Sequence, residues 1–347
     1  MPPNTDRPVL VRTTGQSTRT PVPPYTPNLP PSRSLLPPLG TSFLLHAGSS
    51  LALYAVGRAT DRAEAKDWLW PSGMVVNAWW QAVGQRVVLD GVGVGDAWDE
   101  LTWREKLLLA GVTAWGTRLF YRILSRSLAR GTDDPRYTSL KSQPGFWNSA
   151  LFKLYLPEAL FQTLITLPFT APFRLVVAPH ALASNPWTGW DTAAVALWGS
   201  GMALEVLADA QLSAHAPAHP GKLQTQGVWS LVRHPNYLGD ALVHLSFPLL
   251  TLSTPLWNAW YLLGPAANYV YLRFVGGDSG EGESVGQYAR EDTRKWIDWK
   301  NWAKEVNSFW PGLNTVANKW SYIVLACGAG TVVLERALRN WASPLLV

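Results

Sequence analysis

The residues of this chain best suited to chemistry lie in Gly227–Asp240, which reads Gly-Val-Trp-Ser-Leu-Val-Arg-His-Pro-Asn-Tyr-Leu-Gly-Asp. Pro235 disfavours helix at His234 and makes a good first helical residue. Asn236 and Tyr237 then fall in a first turn whose backbone N–H groups lack helical partners and attract anions. Arg233 and His234 bring further donors to the same mouth. The constellation suits a phosphate-bearing cofactor, with a plain helix start as the other reading of the same residues. Ionisable side chains also recur inside apolar stretches, where they are costly and usually line a cavity or polar path. Glu205 and Asp209 sit four apart, on one helical face. Glu158 has Tyr155 one turn before it and Gln162 one turn after, and Asp240 and His244 are again four apart. Each set reads either as chemistry or as polar glue between helices. Arg118, Arg122 and Arg126 make a cationic column that serves either snorkelling or an anion site.

The elements that must position these residues are membrane helices. Only 15% of the 347 residues are charged and 47% are apolar, against about 25% charged in a soluble domain. Apolar runs of roughly bilayer length are Ser42–Val56, Lys106–Leu124, Leu151–Val177, Thr192–Leu212, Leu238–Thr251 and Leu256–Val275, with weaker ones at Gly73–Leu89 and Ser321–Leu334. They predict an all-α, multi-pass transmembrane protein of about six to seven spans over residues 41–338. The polar stretch 276–319 is expected to form a cytosolic cap, with Trp296, Trp299, Trp302 and Trp310 either at the membrane interface or packed within the cap. Residues 1–40 hold 11 of the 27 prolines and four arginines against one aspartate; they read as a disordered basic tail. That tail supplies much of the net charge of +5, and no basic stripe with interleaved aromatics suggests nucleic-acid binding. The single cysteine, Cys327, excludes a disulfide framework and a cysteine-based zinc site.

The positive-inside rule places the tail in the cytosol, the loop 58–104 outside, and the loop bearing Arg126, Arg130, Arg136 and Lys141 inside. On that scheme Gly73–Leu89 is re-entrant or interfacial rather than a crossing, and the Gly227–Asp240 segment faces the cytosol.

Arg-His-Pro-Asn-Tyr-Leu-Gly-Asp at 233–240 resembles the signature of the steroid-reductase and sterol C14-reductase superfamily, to which isoprenylcysteine carboxyl methyltransferases are more distantly similar. The chain most resembles the branch DUF1295, steroid 5-alpha reductase C-terminal-like. Trp115, Arg118 and Leu119, then Asp134, Arg136 and Tyr137, match one motif of that branch; Glu205, Ala208, Asp209 and Gln211 match another, and Gln162 sits where a glutamine is usual. The resemblance runs from about residue 115 to 311. It implies a helical membrane enzyme, in the endoplasmic reticulum, that uses NADPH to reduce a carbon–carbon double bond of a steroid-like or other lipid. By motif, Gln224, Trp229, Asn236 and Tyr237 correspond to cofactor-contacting positions, with Arg233, His234 and Asp240 in the same block. Lys295–Trp299 resembles a further reductase segment, continued by Trp302 and Val306. Tyr155, Glu158, Glu205 and Asp209 are the candidate proton donors.

The chain departs from that pattern at three cofactor positions. Leu212 and Ala216 stand where sterol reductases keep a lysine and an arginine, and Trp296 stands where they keep a tyrosine; His215, His219 and Lys222 are possible substitutes. Two other functions therefore stay open. One is S-adenosylmethionine-dependent methyl transfer to a lipid or prenyl-cysteine, although the paired glutamates of that branch are missing. The other is a non-catalytic membrane protein that keeps the fold.

Overall fold

A computed structural model describes residues 36–174, 185–278, 285–286, 288–290 and 292–342. Regular structure among them is helical, with no strand. The segment read as a disordered tail lies outside the described residues up to position 35, and helix α1 (Leu36–Thr60) begins inside it. Among the described residues, three helices are long and apolar enough to cross a membrane: Pro37–Thr60, Gly189–Ala218 and Lys319–Ala342.

Helix α2 (Ala65–Trp79) packs antiparallel to α1 and continues through a π-helical turn, Trp80–Gly84, into Gln85–Val88. At 1.5 Å per residue that run is about 36 Å long. The stretch Gly73–Leu89 is thus part of one continuous helix, not a re-entrant hairpin. Its polar residues are tolerated because α1 and its neighbours satisfy them: Ser42 Oγ donates to Asn77 Oδ1 at 3.3 Å, Gln81 Nε2 to Thr41 Oγ1 at 2.9 Å, and Gln85 Nε2 to Gln81 Oε1 at 3.0 Å.

After a short helix α3 (Val94–Asp99), α4 (Trp103–Arg130) opens on a capping box between Thr102 and Glu105 and closes on Gly131 at φ 70°. The apolar run Leu151–Val177 is not one regular α-helix. It is π-helical over Leu151–Tyr155, α-helical as α5 (Leu156–Ile165), and then broken into 3-10 turns where Pro168 and Pro172 cannot continue the helix; residues 175–177 lie outside the described residues.

Helix α6 (Gly189–Ala218) starts at a second capping box, Thr188 with Asp191. Arg104 grips the same Asp191 at 2.7 and 2.9 Å, which ties the starts of α4 and α6 together. Helix α7 (Pro235–Thr251) crosses α6 where a Cβ added to Gly239 would meet the Gly201 carbonyl oxygen at 2.6 Å and the Glu205 nitrogen at 2.8 Å. Only two glycines allow that approach. Helix α8 (Leu263–Val270) runs on into a π-helical stretch, Tyr271–Asp278. Helix α9 (Thr293–Glu305) has no buried residue. Helix α10 (Lys319–Ala342) lies on α6 through Gly328, which packs against Ser200 and Ala196, and through Thr331 against Gly199.

These contacts sort the bundle into two ends. Thr60, Arg130, Ala218 and Pro235 gather at one end: Arg62 reaches the carbonyls of Ser127 and Thr132 at 3.0 and 3.1 Å, and Arg122 reaches Ser213 Oγ at 2.6 Å. Leu36, Gln85, Trp103, Gly189 and Ala342 lie toward the other, where Trp103 Nε1 donates to Glu335 Oε1 at 2.8 Å. The start of α1 and the Arg233–Asp240 segment are therefore at opposite ends of the bundle; the tail before Leu36 lies outside the described residues.

Candidate functional site

The motif segments, distant in sequence, meet at the crossing of α4, α6 and α7. Arg118, on α4, donates from Nη1 to Glu205 Oε1 at 2.6 Å, from Nη2 to the Glu205 carbonyl at 3.2 Å, and also to Asp209. One guanidinium thus fills the gap between two carboxylates one turn apart, which would otherwise repel. Gln211, the last residue of that motif, accepts the Val228 N–H at 2.9 Å. Gly227 sits at φ 73° against the Gln211 side chain, where any Cβ would collide with it. Trp229 Nε1 donates to the Ala208 carbonyl at 3.1 Å. The loop before α7 is therefore clamped onto the end of α6.

Arg233 and His234 are held from the other side. Their N–H groups donate to the carbonyls of Asn307 and Ser308 at 2.9 and 3.1 Å. Arg233 Nη1 reaches the Val306 carbonyl at 2.7 Å and its guanidinium lies 5.7 Å from the Trp299 ring. Arg233 is thus the clasp of the α9 segment. Trp299 and Trp310 are packing residues of that cap, Trp310 Nε1 donating to Tyr269 Oη at 3.3 Å. Gln224 Nε2 turns to the Gln226 carbonyl at 3.3 Å, and Trp296 is covered by the Lys300 ammonium 4.0 Å from its ring.

Asp240 points into the bundle. Its Oδ1 accepts Asn268 Nδ2 at 2.9 Å and lies 2.9 Å from His244 Nδ1, which is also 3.0 Å from the Asp240 carbonyl. Both neighbours of Nδ1 are acceptors, so chemistry assigns the proton to Nδ1. Nε2 then has no partner among the described residues and lies beside Trp115, edge-on at 4.7 Å. Glu205 Oε2 is likewise buried with no partner among the described residues. Asn236 makes no hydrogen bond to a described residue, and Tyr237 only stacks on His234 at 5.4 Å.

A second network holds the remaining motif. Asp134 caps the turn Pro135–Tyr137 and binds Arg136. Partial burial pushes the Asp134 carboxyl up, but the hydrogen bonds and charge of Arg136 outweigh it and hold the group below the usual carboxylate range. Arg136 and Tyr137 both reach Asp67, at 3.0 and 2.8 Å. Asp67 pairs with the buried Lys66 at 2.9 Å, and Lys66 pairs with Glu158 at 2.5 Å. Gln162 Nε2 and Tyr271 Oη donate to Glu158 at 3.2 and 3.4 Å. Tyr155 Oη instead meets the Ala63 carbonyl at 3.4 Å.

The four candidate donors therefore fall into two groups, Glu205 and Asp209 on Arg118, and Tyr155 and Glu158 beside α2. Sequence reasoning did not single out Lys66, Asp67, Asn268 or Tyr271. The first two lie in a stretch read as an outside loop, and the last two lack any motif.

An open, almost wholly apolar groove of about 710 Å³ runs along α4, lined by Trp79, Trp98, Leu109, Thr113, Arg118 and Tyr121. Arg118 is common to the groove and the carboxylate cluster.

Fold and site together define a helical membrane protein with a polar centre at a helix crossing. A family model described as a protein of unknown function, DUF1295, matches residues 53–298, most of the chain. The protein belongs to that family. No curated protein and no solved structure matches it.

Proposed function

We propose that this protein is a membrane-embedded NAD(P)H-dependent reductase of a carbon–carbon double bond in an apolar lipid. The observation that carries the reading is the convergence of the Trp115–Arg118, Glu205–Gln211 and Gly227–Asp240 segments around the start of α7, where the side chains of Asn236 and Tyr237 make no hydrogen bond to a described residue. The residues present fit such a cofactor. Asn236, Tyr237 and the free first-turn amides of α7 would hold its polar groups, with Trp229 beside them, and it would supply hydride when bound. The apolar groove ending at Arg118 suits a lipid chain that approaches from the bilayer.

The chain's own residues then have distinct tasks. Arg118 fixes Glu205 and Asp209, Asp240 fixes the His244 ring, and the Lys66–Glu158 pair keeps a charged, ordered wall opposite. Proton donation falls to one of Tyr155, Glu158, Glu205 and Asp209, the polar side chains set within the apolar helices, and a carboxyl among them can donate only while protonated.

Topology also follows. Three helices qualify as spans by length and composition; the other traverses are shorter or interrupted and are shielded by neighbours. We count eight crossings, in α1, α2, α4, the 151–174 segment, α6, α7, α8 with its π-helical extension, and α10. Arg58, Arg62, Arg126, Arg130 and Lys141 lie at the motif end, which the positive-inside rule makes cytosolic. The start of α1 and the end of α10 then face the opposite side, and residence in the endoplasmic reticulum is what the family resemblance implies.

The test is binding of NADPH, NADH and S-adenosylmethionine by the purified protein in nanodiscs, followed by lipid analysis of cells with and without it. Saturable nicotinamide-nucleotide binding and a lipid gaining two hydrogens support the proposal. Binding of S-adenosylmethionine alone, with a one-methyl mass change, replaces it.

A further inference from the structure

Helix α8 joins the two groups of polar side chains that flank the site. Asn268 Nδ2 donates to Asp240 Oδ1 on α7 at 2.9 Å, and one turn later Tyr271 Oη donates to Glu158 Oε2 on α5 at 3.4 Å. The helices α7 and α8 run antiparallel. Asn185 Nδ2 and Thr188 Oγ1, before α6, each donate at 3.0 Å to Ser253, just past the end of α7. The chain beyond α8, in contrast, brings the Asn307 carbonyl to the Arg233 N–H at 2.9 Å, at the motif end. With Asp240 opposite Asn268, each step back toward the start of α7 is matched by a step forward along α8. Three residues of helix rise about 4.5 Å, so Tyr271 lies one turn nearer the motif end than Asn268, level with Tyr237. Tyr237 and Leu238 of α7 accordingly share one apolar cluster with Leu272.

Tyr271 is partly exposed, and its ring is held in place. Trp70 stacks on it at 4.3 Å and Phe161 meets it edge-on at 5.4 Å. The helix changes to its π-helical form at this residue, a feature that recurs at functional sites. The partner oxygen, Glu158 Oε2, also takes Lys66 Nζ at 2.5 Å, while Oε1 is occupied by Gln162 Nε2 at 3.2 Å. One carboxylate oxygen therefore stands between an ammonium and a phenol. Lys66 in turn meets Asp67 at 2.9 Å, and the Asp67 carboxylate is 16% exposed. The run Tyr271–Glu158–Lys66–Asp67 thus leads from beside the first turn of α7 to solvent through contacts of 3.4 Å or less.

We propose that Tyr271 hands the proton of the reduction to the substrate, and that Glu158, the candidate donor bonded to it, passes that proton on from Lys66. The assignment rests on the reductase reading. A phenol keeps its proton at neutral pH, so the resting state needs no protonated carboxyl. With hydride supplied to one carbon of the double bond by the nicotinamide nucleotide, the Tyr271 O–H bond breaks and its proton goes to the other carbon. The Lys66 ammonium gives a proton to Glu158 Oε2, and Glu158 gives one to the Tyr271 oxygen. Neutral lysine, carboxylate and phenol remain. Solvent protons entering at Asp67 restore the ammonium.

The experiment uses full-length protein in nanodiscs made with the total lipid extract of cells that lack it. NADPH consumption, NADPH binding and unfolding temperature are measured for wild type, Tyr271→Phe and Glu158→Asp. A 3-fluorotyrosine placed at position 271 adds a fluorine resonance that reports on the hydroxyl without turnover. We expect Tyr271→Phe to lower turnover at least about a hundredfold, the usual weight of a positioned proton donor, with NADPH binding and unfolding temperature unchanged. Glu158→Asp keeps a charge for Lys66 but draws the carboxylate back by one methylene; it should lower turnover by less and move the fluorine resonance. Tyr271→Phe that keeps most of the wild-type turnover overturns the assignment and leaves the reductase reading standing. So does a fluorine resonance that Glu158→Asp leaves in place. A turnover loss matched by weaker NADPH binding or a lower unfolding temperature marks a structural role and overturns it too. Wild type that binds no NADPH, or consumes none with these lipids, removes the reductase reading and this assignment with it.

Discussion

Replacing Arg118 by leucine tests the centre of the site most directly. The change removes the one cation that bonds both Glu205 and Asp209, whose side chains are 3% and 18% exposed. Asp240 adds a third carboxylate within electrostatic range of Glu205. Breaking a buried ion pair by deleting one partner costs about 3–5 kcal/mol, because the other charge is left uncompensated. That is a large share of the roughly 5–15 kcal/mol that holds a typical domain together. Arg122, 3.6 Å from Asp209, relieves only the more exposed carboxylate, so the cost falls mainly on Glu205. Arg118→Leu should therefore lower the midpoint of unfolding in detergent sharply. Glu205→Gln and Asp209→Asn, added to it, should restore most of the loss, with a coupling of about 2 kcal/mol or more, toward the upper end for contacting residues. The assay is denaturant unfolding followed by tryptophan fluorescence across the cycle. A single variant as stable as wild type, or a triple variant no more stable than the single, would refute the claim that Arg118 holds these carboxylates together.

Other perturbations probe the crossing, the second network and the loop. Gly239→Ala places a methyl 2.6 Å from the Gly201 carbonyl oxygen, so α6 and α7 must separate; about 1–3 kcal/mol of stability should be lost, read as a lower unfolding temperature, whereas an unchanged temperature would contradict the close approach. Glu158→Gln leaves the buried Lys66 with Asp67 alone at 2.9 Å, and the loss should fall below the about 3–5 kcal/mol of a pair with no second partner; Asp67→Asn added to it should make the loss larger than the sum of the two single changes. Asp134 has its pKa held below the ordinary carboxylate value of 3.8, so its contribution is fully present above that pH and fades as the pH falls through the lower folded value. Unfolding temperature measured from pH 5 to pH 3 should accordingly fall more steeply for wild type than for Asp134→Asn, and parallel curves would remove Asp134 from the account.

Much of this site is legible in the amino-acid order, and the legible parts share a physical character. Pro235 starts a helix because its ring presets the backbone, and that is a local property. Glu205 and Asp209 share a face because helical spacing puts them there. The apolar runs at Thr192–Leu212 and Ser321–Leu334 fall within helices long enough to span a membrane. Where reasoning from the sequence went astray, the deciding contacts were remote. Asn77, Gln81 and Gln85 count against a crossing when viewed alone, yet Thr41 and Ser42 of α1 bond Asn77 and Gln81, and Gln81 in turn accepts from Gln85. The Leu151–Val177 run looked continuous by hydropathy, but Pro168 and Pro172 divide it.

The sequence by itself determined that this is an all-helical, lightly charged membrane protein, which motif segments matter, and which residues on each helix share a face. These follow from composition, helical periodicity and the fixed geometry of proline, all set within a few residues. Tertiary structure alone decided that Arg118 bridges two carboxylates, that Asp240 is spent on His244 and Asn268, and that Arg233 clasps the cap. It also decided that the start of α1 and the Arg233–Asp240 segment lie at opposite ends of the bundle. Each depends on which side chain another helix brings within about 3 Å, and a charge's role is settled by the neighbour that neutralises it rather than by its place in the chain.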